Sequence, residues 1–263
     1  MTVLFHEMTR EQIKRVAPRA IGVLPVAATE QHGPHLAVGT DTLVLTAVAE
    51  RAARAAADQV PVVVTPTVPF GSSHHHYPFG ATLSLSSSVL TGVVQDVLDG
   101  LVRCGFRRIA VLNGHGGNKD VIGMASQDLV HRMGRPATVA SCNYWDLARP
   151  ALLAANLMPA DRIPGHAAHF ETSVVMALRP DLVDEEALAR TRDVTREGSG
   201  LDVPLTGAVV QTYGTWGKGP GHTDKPADAS AELGHKLLAI LVEAVARFFR
   251  DFGRAPGPVE NAQ

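Results

Sequence analysis

Two loops of this 263-residue sequence concentrate side chains that hold metals or move protons. The first, TEQHGPHLAVGTD, runs from Thr29 to Asp41, and the second, NGHGGN, from Asn113 to Asn118. In extended backbone, residues two apart face the same side, so Glu30 and His32 can address one centre. Asp41 falls where a helix is expected to begin, a position natural for an acidic side chain. His115 lies between glycines, which permit a tight turn and leave room beside the backbone. Mixed carboxylate and imidazole donors suit zinc, manganese or iron rather than the oxygen-only sites of calcium and magnesium. Twelve histidines, most of them clustered, point towards metal or acid–base chemistry.

Each residue also has a plainer reading. Asp41 alone is a helix cap. His32 or His35 alone is a hydrogen-bonded loop histidine. Gly114 to Gly117 has the composition of a phosphate cradle, but no lysine-serine pair follows, and Lys119 stands at the last glycine position of G-x-G-x-x-G. The triplet His74 to His76 belongs either to the mouth of a site or to a solvated loop. His6, His131, His222 and His235 lack any such context and are expected at the surface. A serine nucleophile has little support, because there is no G-x-S-x-G elbow, and Ser84 and Ser86 to Ser88 read as turn and cap residues. H-E-x-x-H is absent as well.

The elements that must position these loops alternate along the chain. Ala20 to Ala27 reads as a buried strand despite its proline, and Pro61 to Val68 is β-branched and strand-like. Arg108 to Leu112 and Ala137 to Cys142 repeat that signal. Between them, Asp41 to Val60 and the segment capped by Ser86 to Ser88 carry apolar residues at helical spacing, and a helix from Asn118 ends near Gly134. Thr9 and Gln12 have the spacing of a capping box, and Glu232 to Phe249 is amphipathic. Strands alternating with amphipathic helices predict an α/β fold with a mainly parallel sheet covered on both faces. Residues 1–253 are expected to form one domain, with 254–263 a disordered tail. In such folds ligands sit beyond the carboxyl ends of the strands, which is where both loops fall.

Composition narrows the function. With 45% apolar and 19% charged residues the chain can bury a sizeable core. A net charge of −2 gives no electrostatic case for nucleic acid or an anionic membrane. The run Leu237 to Val242 is too short to span a bilayer, and the N-terminus lacks the apolar core of a signal peptide. Two cysteines make no disulfide framework, so a cytoplasmic location is expected.

TEQHGPHL…TD, NGHGGN and HAAHFETS (His166 to Ser173) occur in the order and spacing of the creatininase family, which the chain resembles over roughly its first 180 residues. NYWDL (Asn143 to Leu147) and DASAELG (Asp228 to Gly234) add to the likeness. The resemblance implies a three-layer α/β/α subunit in a homo-oligomer, a hexamer by analogy, with two divalent ions per subunit, zinc first and manganese or iron as alternatives. It implies Glu30, His32, Asp41 and His115 as metal ligands, with Asp41 bridging, and His166 as the proton donor to the leaving nitrogen. Trp145 matches an aromatic residue near the substrate pocket, and His75 and Arg162 are further candidates for contacting a small-molecule substrate.

The chain departs from creatininase proper in two places. Gly116 and Gly117 replace a tyrosine and a ligating glutamate, and Arg162, Ile163, Pro164 and Gly165 replace a Trp-Asp-x-Glu run. Glu171 is then either the replacement ligand or a support for a ligating histidine. The implied activity is hydrolysis of an amide or cyclic amide C–N bond in a small polar molecule other than creatinine. A formamide deformylase, a peptidase and a non-catalytic metal-stabilised binding protein are the alternatives.

Overall fold

In the computed structural model, residues 2–194 and 212–259 are described. Four strands, β1 (Ile21–Val26), β2 (Val62–Val64), β3 (Arg108–Asn113) and β4 (Thr138–Asn143), form one parallel sheet in the order β2-β1-β3-β4. The central strand β1 buries all six residues. That is why it reads as an unbroken apolar run rather than an alternating one. β2 is shorter than its β-branched sequence predicts. Pro66 has no N–H to give to a ladder, and beyond it only Val68 returns, donating to the Pro25 carbonyl at 2.9 Å.

Successive strand residues point to opposite faces, and each face has its own core. On one side Ile21, Val23, Ala110 and Leu112 pack against α2 (Thr40–Ala56), α5 (Tyr144–Ala155), α6 (His169–Leu178) and α8 (Ala231–Arg254). On the other, Leu24, Val26, Ile109 and Val111 meet α1 (Arg10–Val16), α3 (Ser87–Arg103) and α4 (Lys119–Gln127). The result is the three-layer α/β/α arrangement expected from the sequence. A short helix α7 (Glu185–Ala189) precedes the undescribed residues. Thr9 and Gln12 form the capping box of α1, and Ser86 caps α3.

Two expectations change. The beginning of the tail is tied down, since the Arg108 guanidinium donates to the Ala255 carbonyl at 2.7 and 3.2 Å, and Thr138 to that of Pro256. Residues 260–263 lie outside the described part. His222, expected at the surface, is 3% exposed and faces the ring of His35 at 6.2 Å. His6, His131 and His235 are exposed. No described helix is long and apolar enough to cross a membrane.

Candidate metal centre and active site

Val26, Asn113 and Asn143 are in register across the carboxyl edge of the sheet. Asn113 fixes the turn that leaves β3: its amide donates to Asn143 Oδ1 at 2.8 Å and to the His115 carbonyl at 2.6 Å, while its Oδ1 accepts the His115 N–H. Asn118 ties this loop to its neighbours, donating to the Ala27 carbonyl at 3.0 Å and accepting from the Ser72 N–H at 2.9 Å. The Asn113–Asn118 loop is thus clamped to β4, to the end of β1 and to Ser72 by buried amides.

Glu30, His32, Asp41, His115, His166 and Glu171 come together here, all less than a tenth exposed. Asp41 lies between two imidazoles: its Oδ1 is 3.2 Å from His32 Nε2 and its Oδ2 is 3.3 Å from His115 Nδ1. Glu30 Oε1 is 3.2 Å from His115 Nδ1, and Glu171 Oε2 is 3.8 Å from His32 Nε2. His32, Asp41 and Glu171 place one donor atom each within 4.8 Å of one another, as do Glu30, His75 and His115. Glu30 Oε2 and Asp41 Oδ2 are buried with no hydrogen-bond partner.

The outer nitrogens of His32 and His115 meet acceptors. His32 Nδ1 donates to the Glu30 carbonyl at 3.1 Å, and His115 Nε2 to the Ser72 carbonyl at 3.2 Å. Each ring therefore turns a lone pair inwards once its inner proton is gone, which is the arrangement that orients metal-binding imidazoles.

His166 is held differently. Its backbone N–H donates to Thr223 Oγ1 at 2.9 Å, and its carbonyl accepts from the Thr223 N–H at 2.8 Å. The next residue, Ala167, takes φ +46°, unusual for a side chain with Cβ, and its N–H donates to Glu171 Oε2 at 2.6 Å. α6 is capped from far along the chain, by Asp224 Oδ1 on the His169 N–H at 3.0 Å.

Charge in the centre is strongly perturbed. Burial pulls His32 down, but the carboxylates of Asp41, Glu171 and Glu30 outweigh it and push its pKa up to about 10. His115 is likewise raised against its burial, by Glu30 and Asp41. Burial would raise Glu30, yet the surrounding histidines, His115 first, hold it well below the usual carboxylate range. Burial pushes Glu171 up to about 8. Burial, then His32 and His76, holds His166 well below the ordinary histidine value.

A cavity of about 380 Å³ opens over the centre, the size of a small-molecule site. Trp145 and His75 line it, and so does Trp216. Arg162 does not. Its guanidinium lies outside the lining, 3.9 Å from Asp193, and Ile163 beside it is buried in the apolar core. Three further participants are not evident from sequence. Trp216 packs 4.6 Å from the His76 ring and 5.4 Å from that of His166. His76 is the buried member of its triplet, with Nε2 3.3 Å from Glu30 Oε1. Gln31 joins His76 to His166, its amide nitrogen 2.9 Å from a ring nitrogen of each. The run of histidines is the only sequence signal for any of them.

A buried carboxylate–imidazole cluster thus lies at the strand ends of a parallel α/β fold, where folds of this class place their ligand and active sites. The chain belongs to the creatininase family: the family profile, described as creatinine amidohydrolase, matches residues 6–249. It is similar to the creatinine amidohydrolase of Pseudomonas putida, with 30% identity covering 95% of this chain and 97% of the relative. A mycofactocin precursor peptide peptidase of Mycobacterium tuberculosis is also 30% identical, covering 91% of this chain and 87% of that one. Among solved structures, a manganese form of creatininase superposes with a TM-score of 0.79 at 29% identity, covering 97% of this chain and all of the other. A mutant creatininase of Zn–Zn type matches with the same TM-score at 28% identity, again covering 97% of this chain and all of the other. Members of the family are amidohydrolases, and this chain is an enzyme of that class.

The glycine pair at 116 and 117, where the chain departs from creatininase proper, has a structural counterpart at Gly117. A Cβ there would lie 2.2 Å from the Ser72 carbonyl oxygen and 2.6 Å from His115 Nε2, the two atoms whose hydrogen bond orients His115. At Gly116 a Cβ would meet nothing within 4 Å. Gly117→Ala is therefore expected to cost about 1–3 kcal/mol in thermal or chemical unfolding and to weaken zinc binding, while Gly116→Ala leaves zinc binding unchanged. Equal effects of the two would remove Gly117 from this role.

Protonation gives a second test. A raised His32 pKa means that its proton contributes stability fully present below the ordinary value of 6.5 and lost as pH rises through about 10. A metal held by His32 would have to displace that proton. Zinc affinity of the metal-free protein is therefore expected to rise about tenfold per pH unit per proton released and to level off as pH passes about 10. Calorimetry in buffers of different ionisation heat measures both affinity and proton release. A flat pH profile with no proton released would contradict it.

Proposed function

We propose that the chain is a metal-dependent hydrolase that cleaves a C–N bond of a small molecule at a pair of divalent ions shared by Asp41. The observation that carries this reading is the Asp41 carboxylate, whose two oxygens each face a different imidazole while Oδ2 has no hydrogen-bond partner. The donor set fits such a pair. His115 and Glu30 would hold one ion with Asp41, and His32 and Glu171 the other, so that Glu171 takes the ligand position that Gly117 leaves without a side chain. Zinc suits these nitrogen and oxygen donors, with manganese or iron as alternatives.

Two ions so placed would supply a nucleophilic hydroxide near neutral pH and polarise the scissile carbonyl. The chain's own residues supply the rest. His166 lies with Nδ1 3.6 Å from Glu30 Oε1, facing the centre. In this environment it would be a neutral imidazole whose Nδ1–H hydrogen-bonds the departing nitrogen, while the proton that nitrogen gains on leaving would come from the attacking water. That role is narrower than the imidazolium proton donor expected from the sequence, and a preorganised donor of this kind stabilises charge as it develops. Trp145 and Trp216 bound the cavity and exclude water from the reacting bond. Among the described residues, no arginine or lysine lines it. A carboxylated or phosphorylated amide therefore meets no side-chain cation among them, and we favour a neutral amide with a flat or apolar portion.

Metal content by elemental analysis and turnover of formamides, dipeptides and cyclic amides by metal-loaded protein test this together. His115→Ala is expected to lose metal and activity in parallel. His166→Ala is expected to keep its metal and lose turnover by about 10²–10⁴-fold. Creatinine is expected to be a negligible substrate, because Ile163 and Gly165 present no acidic group to a basic ring. Robust creatinine hydrolysis, or a metal-free His166→Ala protein, would contradict the assignment.

A further inference from the structure

His32, His75, His76, His115 and His166 surround Glu30 and Asp41 in a space where any of them is close enough to ligate. Proximity alone does not separate them: Glu30, His32 and His166 also bring donor atoms within 4.8 Å of one another. What separates them is the partner of each ring's outer nitrogen. His32 and His115 have backbone carbonyls as outer acceptors, and His115 Nε2 also meets the Ser73 hydroxyl at 3.2 Å, which accepts as well because the Ser72 carbonyl fixes the hydrogen on that nitrogen. His76 and His166 share an outer partner of the opposite sense, the carboxamide of Gln31.

Gln31 is buried, and both polar atoms of its side chain are engaged. Its Oε1 accepts the Gly33 N–H at 2.9 Å. A backbone N–H can only donate, so this bond fixes which end of the amide is oxygen. The NH₂ group then faces His76 Nδ1 and His166 Nε2, 2.9 Å from each, with one hydrogen for either ring. The rings are stacked side by side, centroids 4.2 Å apart and 19° from parallel, so a single amide spans both. Gly221, at φ +82°, leaves room for it, because a Cβ there would stand 2.7 Å from Gln31 Oε1.

We propose that Gln31 is a positioning residue that sets the tautomers of His76 and His166, keeping both out of the metal's coordination sphere and turning them into hydrogen donors. A nitrogen that accepts from Gln31 carries no hydrogen, so the neutral ring carries it on the other nitrogen. For His76 that is Nε2, 3.3 Å from Glu30 Oε1, and for His166 it is Nδ1, 3.6 Å from the same oxygen. Both inner nitrogens thus bear hydrogen, whereas those of His32 and His115 turn lone pairs inwards once their protons are displaced. One amide divides these four histidines into two ligands and two donors. The inference rests on the proposed hydrolase reading for its purpose, though not for its geometry.

Long-range ¹H–¹⁵N correlation spectra of protein labelled at histidine read the tautomers directly, first without metal and then with zinc alone added. His76→Gln and His166→Gln assign the signals. The native protein is expected to show His76 as the Nε2–H form and His166 as the Nδ1–H form, and zinc is expected to leave both N–H signatures in place. Gln31→Glu keeps the shape and the bond from Gly33 but offers only acceptors, so it is expected to move hydrogen onto the outer nitrogen of each ring. Turnover of whichever amide the native enzyme cleaves should fall by about 10–100-fold in kcat with little change in KM. The opposite tautomer on either ring of the native protein, or zinc displacing either inner hydrogen, would overturn the proposal. So would unchanged tautomers in Gln31→Glu. Because the tautomers are read before metal is added, a protein that takes up none of zinc, manganese or iron would defeat the hydrolase reading and leave the tautomer assignment standing.

Discussion

Three carboxylates, those of Glu30, Asp41 and Glu171, are buried beside one another, and everything around them answers that charge. Removing one carboxylate from water costs several kcal/mol unless positive charge or good donors replace the water, and three together repel as well. Without metal the answer is protons, which is why His32 and His115 are held far above their ordinary values. With metal the same nitrogens are free to ligate. A centre that holds its own counter-charge in exchangeable form is suited to cations, and it leaves Glu30 Oε2 and Asp41 Oδ2 without a hydrogen-bond partner of their own.

The rest of the fold serves that centre at a distance. Parallel strands in register bring Asn113 and Asn143 level, and their paired amides hold His115. The α6 helix carries Glu171 and is packed closely against α8: a Cβ on Gly234 would fall 1.8 Å from the Ser173 carbonyl oxygen. Thr223 and Asp224, from the segment before α8, grip the backbone at His166 and cap α6. The chemistry is thus borne by loops together with the first turns of α2 and α6, and the loops are pinned by buried hydrogen bonds to rigid elements.

Much of this is legible in the sequence, for identifiable reasons. β1 and β3 are buried on both faces and read as apolar runs, while α2, α3 and α8 bury one face and show its period. Thr29 to Asp41 and Asn113 to Asn118 display their candidate ligands because the spacing of Glu30 and His32 is local. What stays hidden is what only tertiary structure supplies. α6 buries Phe170 through Val175 without a solvent face, so it has no period to detect, and its cap comes from Asp224. Gln31 neither titrates nor ligates, and its importance appears only when His76 and His166 arrive at its two amide hydrogens. Trp216 and His222 come from a stretch with no periodic signal and reach the centre or its surroundings by folding alone. Arg162 is adjacent to His166 in sequence but not in space, because the turn at Pro164 and Gly165 sends it to Asp193.

If Asp41 is shared by two ions and the histidines are divided between ligands and donors, the metals themselves must show it. Anomalous diffraction at the zinc and manganese edges, from crystals grown with each metal, tests this most directly. The account predicts two peaks flanking the Asp41 carboxylate, one beside His115 Nδ1 and Glu30 and the other beside His32 Nε2 and Glu171, with His76 and His166 outside bonding distance of both. A single peak, or an ion bonded to His166 or His76, would contradict it.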